Sequence, residues 1–194
     1  MTETRLNLTR RSAILAVAAA MSAAAARADE RRTTPLDAEL TGDVHDFDYH
    51  IGDWTLVNRR LKKRWTKNPE WDEFSGTDRY VQYLGGIANV DEVVFPTKGF
   101  SGLTVRTFDL ERKLWSTYWI NSRNGIMEAP MFGGFRGNHG LFYGDDTDDG
   151  RPVKARYLRE KLPPDRERWE QAFSLDGGTT WETNWTADFT RVRS

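Results

Sequence analysis

From His45 onward the chain changes character about every ten residues. Short runs rich in aromatic and β-branched residues alternate with clusters of turn-forming ones. The runs fall at approximately 53–65, 74–84, 89–96, 101–109, 114–122, 127–135, 139–144, 152–161, 167–175 and 180–192. Between them stand "KNPE", "GG" at 85–86, "PTKG", "DLERK", "RGNHG", "GDDTDDGR", "PPDRE" and "LDGGT". Glycine, proline and Asn/Asp supply turn conformations there, while aromatic and β-branched side chains favour the pleated strand. No window sustains a capped apolar stripe of helical period, apart from one turn near "PLDAEL". The spacing predicts an all-β chain. Short hairpins joining successive strands predict an antiparallel up-and-down barrel of about 8–10 strands, whose closure removes exposed sheet edges.

The N-terminal residues follow other rules. Arg10 and Arg11 precede an apolar, alanine-rich run from Ser12 to Ala26, and Ala26-Arg27-Ala28 reads as a small-x-small cleavage site. "TRRSAIL" resembles a twin-arginine export signal, although Ala13 stands where a bulky apolar residue is usual. Residues 1–28 are therefore expected to be an export signal peptide. The run is shorter than the ~20 residues of a membrane span, so no stable membrane insertion is expected after cleavage. Residues 29–44 are polar and without period, as in a flexible N-terminal arm, which leaves 45–194 as the β-barrel domain. The expected location is periplasmic or secreted.

Removing the signal leaves 166 residues with 24 basic and 28 acidic groups. This mildly acidic balance gives no electrostatic reason to expect nucleic acid as a partner. There is no cysteine, so disulfides and thiol chemistry are excluded, and stability must come from packing. Eight tryptophans, ten phenylalanines and six tyrosines supply the material.

"SLDGGTTW" (174–181) fits the S-x-D-x-G-x-T-W turn that recurs in sialidase propellers. A propeller repeats this unit blade after blade, and here it occurs once. The structural reading is a well-built β-turn. Asp176 accepts hydrogen bonds from N–H groups across it, and Trp181 packs over it as the returning strand begins. "FDLERKLWSTYW" (108–119) is a looser version opened by Asp109.

Gly52-Asp53-Trp54 opens the first strand-like run. It resembles the Gly-x-Trp signature of lipocalin and calycin barrels. That resemblance implies that Trp54 closes the barrel floor and that an arginine of the last strand lies across it. Arg191 in "DFTRV" is the natural partner and Arg193 the second. The contact would be a cation–π interaction, worth roughly 1–2 kcal/mol when desolvated. The blocks "FDYHIGDW", "LGGIANVDE", "WSTYW", "GRPVKARY" and "RWEQAFSLDGGTTWETNW" are similar to a bacterial family of domains of unknown function with a calycin-like barrel. The similarity runs from about Phe47 to Arg191. It implies a fold and brings no activity with it.

Alternate residues of a small barrel face inward. With Trp54 inside, Leu56, Asn58 and Arg60 follow. Candidate polar lining residues are Arg60, Glu92, Arg106, Arg156, Glu170, Gln171 and Asn184; Tyr80, Trp115, Tyr118, Trp119, Trp169 and Trp185 are candidate aromatic walls. An arginine inside a barrel is costly unless it is paired or meets an anionic ligand group. Arg106 and Arg156 with Glu92 or Glu170 therefore form a candidate charged constellation, the alternative being ion pairs on the outer face.

Other motifs carry bland readings. "RRLKKR" (59–64) is divided between two faces by strand alternation. "GDDTDDG" (144–150) has part of an EF-hand spacing, but the twelfth position from Asp145 is Arg156, where calcium needs a bidentate glutamate. The residues instead suit a solvated hairpin tip. His45, His50 and His139 show no metal-ligand spacing, and no nucleophile elbow, phosphate loop or HExxH appears. No metal, cofactor or catalytic residue is assigned. The expectation is an exported barrel, monomer or homodimer, holding a partly apolar small molecule that could carry an anionic group. Its rivals are a cofactor-free lyase, isomerase or hydrolase with Glu92 or Glu170 as base, and a filled barrel serving as an interaction module.

Overall fold

A computed structural model describes residues 41–193. The segment expected to be an export signal, and most of the expected arm, lie outside these residues. Ten strands are described: β1 (Gly52–Leu61), β2 (Trp71–Tyr83), β3 (Ala88–Phe95), β4 (Phe100–Asp109), β5 (Leu114–Asn121), β6 (Met131–Arg136), β7 (His139–Asp148), β8 (Arg151–Leu162), β9 (Arg166–Ser174) and β10 (Glu182–Arg191). Each pairs antiparallel with its neighbours in sequence, and β1 pairs with β10, closing the barrel. Among the described residues there is no α-helix, only short 3-10 turns. The all-β, up-and-down, calycin-like barrel expected from the sequence is the fold.

The alternation that builds each strand is visible in β1. Trp54, Leu56 and Asn58 are buried, while Asp53, Thr55, Val57 and Arg59 are exposed. The outer face is laced by ion pairs set by strand register. Arg79 lies opposite Asp53, Arg59 opposite Glu73, and Arg168 opposite Asp188, at 3.8–4.0 Å. Such exposed pairs add little stability. They do make the outer wall polar, with the apolar side chains turned inward.

Three elements differ most from their expected extents, and the first is β1, which ends at Leu61 instead of near residue 65. β7 continues to Asp148 instead of ending near Gly144, and Asp148 is buried, not at a solvated tip. The loop after β1 explains this. Arg64 pairs with the Asp148 carboxylate, and Trp65 Nε1 donates to it at 2.5 Å. β6 begins only at Met131. The preceding residues make one isolated bridge, Ile120 to Met127, and Pro130 has no N–H to extend the ladder.

The floor is made by chain entering from the N-terminal side. Residues 41–44, assigned to the arm from sequence, dock on the barrel. Gly42 N–H donates to Lys113 O at 2.8 Å, and Trp115 Nε1 donates to Asp43 O at 3.1 Å. Phe47 is buried among Trp115, Phe135, Phe142 and Tyr80, and a 3-10 turn at Asp48–His50 carries His50 inside. Gly52 then enters β1 with φ of +116°, a conformation that strains any side chain. Trp54 follows, and Arg191 lies over its ring at 4.2 Å, in the register Trp54 to Arg191 of the closing pair. The same guanidinium donates to Ile51 O at 2.6 Å, to Tyr49 O, and to Asp165 at 3.2 Å. One side chain thus ties entering segment, first strand and last strand together.

The single S-x-D-x-G-x-T-W motif is a turn in the β9–β10 hairpin. Asp176 Oδ1 accepts from Thr179 N at 3.0 Å and Thr180 N at 2.8 Å, and Oδ2 accepts from Thr180 Oγ1 at 2.7 Å. These donors pull the exposed Asp176 carboxyl down to a pKa of about 2. Trp181 packs back over the turn and donates to Gly178 O at 2.9 Å.

Candidate functional site

Two apolar clusters occupy different parts of the barrel wall. One gathers Phe47, Phe108, Trp115, Phe135, Phe142 and Phe173; the other gathers Trp54, Leu56, Phe74, Phe95, Phe100 and Phe189. They do not fill the interior. A cavity of about 520 Å³ remains, open to solvent. Trp119, Trp169, Trp185, Tyr157 and Phe95 are among its aromatic walls, and Asp78, Asp91, Arg106 and Arg159 also line it.

The mouth lies at the hairpin end where β1 turns into β2. Arg60, Arg64, Glu128, Asp145 and Asp146 line the cavity there. The Arg60 guanidinium lies 4.5 Å over the Trp185 ring. Burial, with Arg64 and Arg123 nearby, lowers its pKa. Burial raises the carboxyls of Asp146 and Glu128, and Asp146 raises Glu128 further.

The floor holds two buried ion pairs. Arg106 NH1 pairs with Asp91 Oδ1, whose other oxygen accepts from Thr104 Oγ1 at 2.8 Å. Both partners are 2 % exposed. The Arg106 guanidinium lies beside both Phe47 and Tyr80, 5.0 and 4.9 Å from their ring centres. Arg159 NH1 pairs with Glu167 Oε1 at 2.7 Å, and Glu167 Oε2 lies 2.5 Å from His50 Nδ1. Burial alone would raise the Glu167 carboxyl; His50 and Arg159 beside it outweigh this and hold it below the usual range. Burial lowers the His50 imidazole despite Glu167. His50 Nδ1 faces the Glu167 carboxylate, and Nε2 has no hydrogen-bond partner.

Asp78 differs from the other floor carboxylates because no cation is bonded to it. It lies between Trp54 on β1 and Val93 on β3 in the strand ladder, and its Oδ1 has no partner. Burial, reinforced by the Asp91 charge, pushes its carboxyl well above the usual value.

The sequence-derived candidates divide by strand parity. Arg60, Arg106, Trp119, Gln171 and Trp185 all line the cavity, as does Trp169. Tyr80 and Trp115 are buried in the wall, and Asn184 is buried against Gln171, whose Nε2 donates to it at 2.8 Å. Four candidates are corrected. Glu92 is exposed on the outer face, because its neighbour Asp91 takes the inward position. Tyr118 faces away from the cavity, since Thr117 and Trp119 occupy the inward positions of β5. Arg156 and Glu170 pair with each other at 3.7 Å on the outer side, with Arg156 4.7 Å over the Trp181 ring. On β8 and β9 the inward positions belong to Tyr157, Arg159, Glu167 and Trp169. The constellation of Arg106 with a carboxylate exists, but its carboxylate is Asp91.

Sequence reasoning passed over Asp78, Asp91, Arg159, Glu167 and His50. The parity of Phe74, Gly76 and Tyr80 points Asp78 inward, and that of Val153, Ala155 and Tyr157 points Arg159 inward. No strand pattern signals His50, because it precedes the first strand. His45 pairs with Asp48 on the surface and His139 is exposed. No cluster of three or more metal-ligating side chains occurs among the described residues.

Compared with known proteins, the chain matches no family model. No curated protein matches it either.

Proposed function

We propose that this chain is an exported barrel that binds one small, partly apolar molecule in its interior. One observation carries the reading: the closed barrel is hollow, with a solvent-open cavity of about 520 Å³ walled by tryptophans and floored by polar groups. Binding sites for small molecules have this size and make-up, apolar and aromatic walls with a few converging polar groups. The closure comes from one chain, so a monomer already has the complete site. The ion-paired outer wall suits a barrel surrounded by water, in keeping with release from the membrane after export. An acidic substituent on the ligand belongs at the mouth, beside Arg60, because the floor arginines are already neutralised by Asp91 and Glu167.

A second reading, a cofactor-free enzyme, has one observation in its favour. Asp78 is a cavity-lining carboxyl of raised pKa near Arg106, the kind of group a general acid or base requires. Glu92 and Glu170 no longer serve this reading, since both face outward.

Titration with the uncharged dye N-phenylnaphthylamine tests the binding reading. Dye fluorescence should saturate at one molecule per chain and should be excited through the tryptophans, because Trp119, Trp169 and Trp185 border the cavity. Non-saturating binding, or binding without energy transfer from tryptophan, would count against it.

A further inference from the structure

Four arginines line the cavity: Arg60, Arg64, Arg106 and Arg159. Three are bonded to a carboxylate, Arg64 to Asp148, Arg106 to Asp91 and Arg159 to Glu167. Arg60 is not. Among the described residues its guanidinium forms no ion pair and no hydrogen bond. The carboxylate opposite it in the β1–β2 ladder, Asp72, is held instead by Lys98 at 2.5 Å. Arg64 and Arg123 lie close enough to disfavour its charge further. Arg60 is only partly buried, and none of its unpaired nitrogens is sealed within the wall. Its place is set by Trp185, whose ring lies 4.5 Å from the guanidinium and whose Nε1 donates to Asn58 Oδ1 at 3.1 Å.

The cavity's own carboxyls leave this cation unmatched. Asp78, Glu128 and Asp146 line the cavity with no cation bonded to them, and burial shifts each toward its neutral form. A carboxyl can relieve its burial by taking a proton, but a guanidinium keeps its charge in any protein setting. A guanidinium seated against an indole, partly out of water, is best matched by an anionic acceptor. A carboxylate suits it well, since its two oxygens fit two N–H groups of the fork. One unmatched cation calls for one negative charge. Resting on the binding reading above, we infer that the ligand is a monocarboxylic acid with an apolar body, its carboxylate held by Arg60 at the mouth. The body extends inward along Trp185, Trp169 and Trp119. The opposite orientation would bring the carboxylate to floor arginines already matched by Asp91 and Glu167.

The test is displacement of bound N-phenylnaphthylamine at neutral pH by decanoate, decanol and decylamine, which share one chain and differ in head group. Decanoate should bind tightest, with a dissociation constant about ten-fold below that of decanol. In Arg60→Gln, which removes the charge and keeps a polar side chain, the two constants should become nearly equal. Arg60→Lys, which keeps the charge without the fork, should retain part of the preference. Decanol or decylamine displacing the dye as well as decanoate overturns the inference, and so does a decanoate preference that Arg60→Gln leaves unchanged. In those cases the dye still occupies the cavity and only the carboxylate assignment falls. Failure of the dye to bind removes the binding reading as well.

Discussion

Asp78 is a carboxyl kept inside the barrel without a cation bonded to it. Arg106 and Arg159 attract its charge from β4 and β8, but burial and the charges of Asp91 and Glu167 outweigh them, and its pKa is raised well above the ordinary value. A raised carboxyl pKa in the folded state means that the unfolded chain ionises first as pH rises. Folding is then unopposed by this group below the ordinary carboxylate range and is progressively penalised above it, up to the raised value. Asp78→Asn removes the ionisation and keeps the shape. The variant should therefore be more stable than the parent at neutral pH, with the difference closing as pH falls through the ordinary carboxylate range. Urea denaturation at several pH values measures this; a variant less stable than the parent at neutral pH would show that the charge is satisfied in the fold. Glu167 has the opposite sign. His50 and Arg159 hold its carboxyl low, so its contribution is complete above the ordinary range and is lost as acid protonates it in the folded state.

At the scale of elements, the cavity depends on how wall side chains are seated on neighbouring strands. Trp119 on β5 lies over Gly102 on β4, so closely that a Cβ there would fall 1.8 Å from one indole carbon and 2.0 Å from another. Gly102→Ala should push the indole into the cavity, weakening dye binding and costing about 1–3 kcal/mol of stability by overpacking. Dye titration and urea denaturation together check this, and unchanged dye affinity would remove Trp119 from the wall that shapes the site. Elements also explain what could be read from sequence. In β1 and β2 the large side chains Trp54, Leu56, Phe74 and Tyr80 share one parity, while Val57 and Val81 on the other are exposed, so the four indicate which side is inside. β3 carries valines at 90, 93 and 94, on both parities, so nothing local separates Asp91 from Glu92. In β10 the register shifts between Thr183 and Trp185, where the extra residue lets Asn184 and Trp185 both avoid the outer face. Such a bulge leaves no regular pattern to read. The floor segment before β1 is not a strand at all, and periodicity is silent about His50.

At the scale of the whole molecule, one closure organises everything else. β1 meets β10, Arg191 covers Trp54, and the entering segment with Phe47 and His50 seals that end of the barrel. At the opposite end the cavity is open, and Arg60, Arg64, Glu128, Asp145 and Asp146 line it there. The overall topology was legible because hairpin spacing and the Gly-x-Trp start are local signals. Whether the interior is hollow was not, since it depends on how the aromatic side chains pack across the barrel between strands distant in sequence. Buried charge fits this arrangement. Each floor ion pair joins two neighbouring strands, so the polar floor needs no solvent to balance its charge. A crystal structure of the complex with N-phenylnaphthylamine tests the hollow barrel most directly. Electron density for one dye inside the barrel, bordered by Trp119, Trp169 and Trp185, is the expected result. Dye bound only on the outer wall, with the interior filled by repacked side chains, would contradict it.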